Sequence, residues 1–96
     1  MDEMNGMGLQ SRRREGVMHW LARRVAEELA VPVDEVDVTA PFASFGISSI
    51  VGVTMSGEIA DAFDVNVSPM LLWDYPTIER LADYIEVLRL EKHHAS

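Results

Sequence analysis

The chain has 96 residues, 48% of them hydrophobic, with no cysteine and a formal net charge of −8. That length suits one small domain with a single core, and the lack of cysteine excludes disulfides and thiolate metal sites. Residues 1 to 30 carry five acidic and five basic side chains, whereas residues 31 to 96 carry eleven and three, a balance that argues against nucleic acid, whose phosphates need positive charge.

Residues 1–11 mix Met, Gly, Asn and Ser without periodicity and read as a flexible N-terminal segment. Arg12, Arg13 and Arg14 follow, as solvated charge at a helix start or a small docking patch. From about Arg13 to Leu29 the pattern is helical. Val17, Leu21, Val25 and Leu29 recur every four residues, with Met18 and Ala22 beside them. Trp20 falls at the flank of that stripe, and His19 is expected on the surface. Val31-Pro32 ends the helix, because proline removes an amide and restricts the residue before it. The stretch from Ala30 to Ile47 is then a long loop. Loops of that length are functional or pinned by their own side chains, and Val33, Val36, Val38, Phe42 and Phe45 can serve as pins. Asp34-Glu35 supports a single helical turn.

Phe45-Gly46-Ile47-Ser48-Ser49-Ile50 is the most informative run. Gly46 accepts backbone angles that other residues resist. Ser48 suits an N-cap, since its hydroxyl can accept an orphan amide. Ser49 then opens a helix over residues 49–63, with its hydroxyl at the positively polarised end. On the dipeptide alone, capping accounts for both serines. The wheel of this helix puts Val53, Ile59, Ala60 and Phe63 toward the core, with Met55 at the edge. Val51, Thr54, Glu58 and Asp61 fall on the solvent side, and Gly57 is a candidate for close helix packing.

Residues 64–67 form a turn with two apolar anchors. Ser68-Pro69 signals a short helix to about Trp73. Thr77 caps the last helix, whose stripe is Ile78, Leu81, Ala82, Ile85 and Leu88. Residues 91–96 are expected to be a flexible tail, His93 and His94 included. The expected fold is all-α: a small four-helix bundle of three main helices and one short one, with a long first loop and a domain at residues 12–90.

Catalysis is not expected. Ser49 has no histidine near it in sequence, and the acidic pairs lie in loops or on one solvated face. No glycine-rich phosphate loop is present. No apolar run approaches the ~20 residues of a membrane span, and the N-terminus lacks a signal peptide's apolar block. A soluble, cytoplasmic, monomeric protein follows as the expectation.

Pro41 to Ile50 resembles the loop-to-helix junction of acyl carrier proteins. Leu71-Leu72-Trp73-Asp74-Tyr75-Pro76-Thr77-Ile78 resembles their later helix junction, in the polyketide synthase type especially. The resemblance covers about residues 17 to 88. In that family the serine of Gly-x-Asp-Ser-Leu carries 4′-phosphopantetheine. The matching residue here is Ser49, with Ser48 in place of the aspartate and Ile50 in place of the leucine. The resemblance implies a non-catalytic shuttle holding acyl or polyketide intermediates as thioesters. It implies loading by a phosphopantetheinyl transferase and service to ketosynthase, acyltransferase or acyl-activating enzymes with basic docking patches. Their docking surface is expected at Ser48, Ile50, Val51, Thr54, Glu58 and Asp61. The alternatives are a peptidyl carrier of a nonribosomal system and a helical interaction module whose Ser49 is never modified.

Overall fold

In the computed structural model the backbone is described for residues 2–95 and side chains for residues 13–92. Four helices form: α1 (Asp2–Leu29), α2 (Ser49–Phe63), α3 (Leu71–Asp74) and α4 (Ile78–Ala95). Two 3-10 turns, Val33–Glu35 and Phe42–Phe45, interrupt the long loop between α1 and α2. The described residues contain no strand, only an isolated bridge between Pro41 and Thr77.

The core comes from the stripes that the sequence displays. Val17, Leu21 and Val25 of α1 meet Ile78, Leu81, Ala82 and Ile85 of α4, all at most 1% exposed. Met55 and Ile59 of α2 and Leu71 and Leu72 of α3 complete it. Leu88, placed on the α4 stripe by its spacing, is only half-buried. The loop pins behave as expected: Val36 and Phe42 are buried, and Val33, Val38 and Phe45 pack against the core. Trp20 flanks it, edge-on to Phe63 with ring centroids 5.3 Å apart.

The loop is also fastened by its backbone. The Phe42 amide donates to the Pro76 carbonyl at 2.7 Å, and the Glu79 amide donates to the Val38 carbonyl at 3.1 Å. Both bonds tie the loop to the start of α4. Thr77 caps that helix, its hydroxyl accepting from the Arg80 amide at 3.1 Å.

Several expectations need correction. α1 begins at Asp2 rather than near Arg13, and α4 continues to Ala95 rather than ending at Leu90. Extending a helix that packing has already nucleated adds one bond per residue fixed. Met, Leu, Gln, Glu and Lys in these segments are good helix formers, so an apolar stripe marks only the packed part. The side chains of His93 and His94 lie outside the described residues. α3 starts at Leu71, not Pro69: Ser68 and Pro69 lead into a turn, with the Ser68 hydroxyl accepting from the Met70 amide at 3.0 Å.

The buried face of α2 is also rotated from the expected one. Gly52, Met55, Ser56 and Ile59 are buried, while Val53 is 44% exposed. The helix is apolar or small on most of its circumference, so its own wheel leaves the face open and the packing of α3 decides it. Met55→Ala should therefore cost about 2–5 kcal/mol, whereas Val53→Ala should stay within about 0.5 kcal/mol. Urea denaturation of the two variants checks the orientation.

Candidate functional site

The second 3-10 turn ends in Gly46, at φ 73° and ψ 22°. That left-handed conformation is strained for residues with a side chain, and it turns the chain into α2. Ser48 is extended, and its Oγ accepts from the Val51 amide at 3.3 Å. The cap expected from the sequence thus forms. The Ser48 carbonyl accepts from the Gly52 amide at 2.9 Å, closing the first helical turn.

Ser49 is the first residue of α2 and is exposed. The amides of Ser49 and Ile50 open the helix and have no helical carbonyl to bond. An anion on the Ser49 hydroxyl would lie beside those donors and the positive end of the dipole. The residues present therefore fit a phosphodiester at this position.

The surroundings are apolar. Ile50 is 80% exposed, the highest value among the exposed large hydrophobic side chains described. Trp73 of α3 lies across α2, and Gly52 makes that possible. A Cβ on Gly52 would stand 2.7 Å from the edge of the indole. Gly57, the glycine expected to allow close packing, has open space where its Cβ would be. Beside the indole is a cleft of about 130 Å³, lined by Pro41, Phe42, Ala43, Ile47, Gly52, Leu72, Trp73 and Pro76. At ~30 Å³ per water molecule of liquid, that is room for about four waters or a short apolar group. α2, through Gly52, and α3, through Leu72 and Trp73, border it.

The expected docking residues divide. Ser48, Ile50, Thr54 and Asp61 are exposed. Val51, expected to face solvent, is half-buried and packs against the core. Glu58 is held by α1: Arg24 Nε donates to its Oε1 at 2.8 Å, and Arg24 Nη1 donates to Glu28 at 3.0 Å. Burial works to lower the Arg24 pKa, and the hydrogen bonds to Glu58 and Glu28 outweigh it, leaving the guanidinium above its ordinary value. Ser56, unremarked in the sequence, is buried. Its hydroxyl donates to the Gly52 carbonyl at 3.0 Å, with the Pro69 carbonyl 3.3 Å away, so it fastens α2 to the segment before α3. A larger cleft of about 700 Å³ lies between α1 and the second half of α2, lined by His19, Trp20, Arg23 and Glu58 among others, and includes none of residues 48–51. No group of acidic or histidine side chains among the described residues could hold a metal ion.

This geometry agrees with three comparisons. Residues 19–85 match the family model described as "Phosphopantetheine attachment site". The chain belongs to that family of carrier domains, whose prosthetic group is 4′-phosphopantetheine. It is 37% identical over 67 residues to a phenolphthiocerol/phthiocerol polyketide synthase of Mycobacterium tuberculosis, covering 70% of this chain and 4% of that protein. It is 33% identical over 70 residues to 6-methylsalicylic acid synthase of Penicillium terrestre, covering 73% of this chain and again 4% of the relative. Among solved structures, a free-standing peptidyl carrier protein from Acinetobacter baumannii superposes with a TM-score of 0.72 at 35% identity, over 77% of this chain and 92% of that one. The chain thus spans a small fraction of the polyketide synthases and nearly all of the free-standing carrier.

Two outcomes follow from the local geometry. Ser48→Ala should lower stability by about 1 kcal/mol, and Ser48→Asp should restore it, because aspartate caps as well and suits the dipole; chemical denaturation reads both. Gly52→Ala sets a helix-propensity gain of about 1 kcal/mol against the clash with Trp73. The ring is exposed enough to move outward, so stability should change little. The Trp73 emission should shift to the red, measured in a Trp20→Phe background.

Proposed function

We propose that Ser49 carries the 4′-phosphopantetheine arm and that residues 12–90 form a carrier unit for acyl intermediates of polyketide assembly. The observation that carries this reading is the exposed Ser49 hydroxyl at the first position of a capped helix, inside the segment that matches the family. Loading joins the Ser49 oxygen to the pantetheine-side phosphorus of coenzyme A. The pyrophosphate bond breaks, adenosine 3′,5′-bisphosphate leaves, and the serine proton passes to a base of the transferase. The opening amides of α2, held in place by the Ser48 cap and the Gly46 turn, would favour the negative charge of that phosphodiester. The arm supplies the thiol on which an acyl group is held as a thioester; the chain contributes no cysteine.

The domain's part is to present the arm rather than to do chemistry on its cargo, and its partners are the transferase and the synthase enzymes that load and extend the acyl group. Cytoplasmic residence accords with these partners. Among the described residues no helix is long and apolar enough to cross a membrane. The polyketide relatives and the Asp74-Tyr75-Pro76-Thr77 run support an acyl rather than an aminoacyl cargo. The peptidyl carrier remains the second reading because of the likeness to the free-standing carrier, and parallel loading with acyl and aminoacyl donors separates them.

Incubation with coenzyme A and a broad-specificity transferase should add one phosphopantetheine to the intact protein. Ser49→Ala should gain none, and Ser48→Ala should still gain it. An arm mapped to Ser48, or found on the Ser49→Ala protein, overturns the assignment.

A further inference from the structure

One face of α1 is turned away from the rest of the domain. His19, Arg23 and Glu27 follow one another at four-residue spacing, share that side of the helix and are all exposed. They form a ridge between two clefts. The cleft of about 700 Å³ flanks it on the side of Trp20 and Glu58, and a second of about 400 Å³ flanks it on the side of Ala30, Val31 and Val33. Apart from the ridge, the second is lined only by alanine and valine. Arg24 and Glu28 close an ion pair along the helix at 3.0 Å. Arg23 and Glu27 have the same spacing, yet among the described residues neither forms an ion pair, with the other or elsewhere. The ridge thus presents one free cation and one free anion, side by side along its length.

We propose that two copies of the chain meet on this face of α1, antiparallel, about a twofold axis between Arg23 and Glu27. The charge pattern carries the inference. In that arrangement Arg23 of each copy lies opposite Glu27 of the other, and both charges gain partners across the axis. A partner of a single sign would satisfy one of them and be repelled by the other. A surface that complements itself closes as a dimer and leaves no edge for further copies. The same axis sets His19 of one copy near Val31 of the other, where the imidazole covers the alanine and valine cleft. Neither cleft includes Ser49, so pairing leaves both hydroxyls free and does not depend on their being loaded. Exposed ion pairs beside a small apolar cleft support weak association, with a Kd on the order of 1 mM. Copies tethered near one another reach such concentrations.

Sedimentation equilibrium of the unloaded full chain, at concentrations up to about 2 mM, tests the pairing. At about 0.15 M sodium chloride the Debye length is about 8 Å, so the charge of −8 on each chain is screened beyond the contact. The unaltered protein should show a reversible monomer–dimer equilibrium and nothing larger. Arg23→Glu and Glu27→Arg should each weaken it at least about fivefold, because each sets like charges opposite one another on both sides of the axis. The two variants mixed should associate again, since the acidic ridge of one then faces the basic ridge of the other. Both exchanges in one chain should also restore the dimer. Glu27→Arg separates this contact from general repulsion: it makes the chain less acidic, so a change in overall repulsion would strengthen association where the proposal requires weakening. Circular dichroism verifies that each variant is folded, and both side chains are exposed. A protein that stays monomeric throughout, single variants that associate as well as the unaltered chain, species larger than a dimer, or a mixture no stronger than its components overturns the proposal.

Discussion

The Phe42 amide donates to the Pro76 carbonyl across the molecule, and the Phe42 ring is buried beneath that bond. With the bond from the Glu79 amide to the Val38 carbonyl, this fastening joins the long loop to the start of α4, and it lies nearest the start of α2. Without it, the 3-10 turn at Phe42–Phe45 would be held by its side chains alone, and the left-handed Gly46 would turn the chain from a looser base. The Ser48 cap would then close a helix whose beginning wandered. Orienting a loop costs conformational entropy at every residue, and the core side chains Val36 and Phe42 offset it by burial. Ser49 is thus exposed but not loosely placed.

That arrangement divides labour within the domain. α1 and α4 supply most of the core and take no part at Ser49. α2 and α3 form the working end, where Gly52 admits the Trp73 ring and Ser56 links the two segments. The small cleft beside the ring can shelter a short apolar group and little more. A long intermediate on the arm would stay in reach of its enzymes, which suits a carrier more than a storage protein. The acidity of the chain lies mostly elsewhere, and its long-range field can help solubility without defining the contact at Ser49.

Much of this was legible in the sequence because it is written in local chemistry. The α2 boundaries, the Ser48 and Thr77 caps and the pinned loop follow from residue types whose preferences act over three or four positions. The face of α2 was not legible. Val53 and Met55 have comparable hydrophobicity, and only the position of α3 decides that Met55 is buried and Val53 exposed. Gly52 and Gly57 are likewise indistinguishable until the Trp73 ring is placed over one of them. The Arg24–Glu58 pair joins residues 34 apart, so no periodicity announces it, and Glu58 reads from the sequence as a free acidic contact. The helix ends beyond the packed stripes failed for the converse reason: their apolar residues show no core periodicity, yet they hold no proline and enough good helix formers to carry the helix on.

The central claim is that the fold presents Ser49 on a platform formed before any arm is attached. Comparing backbone amide spectra of unloaded and loaded protein by nuclear magnetic resonance tests it most directly. The unloaded form should already give the dispersed spectrum of a folded helical domain. Loading should move the amides of residues 47–53 and the Trp73 indole, and leave α1 and α4 in place. A spectrum that gains dispersion only on loading, or shifts spread through the α1–α4 core, would contradict it.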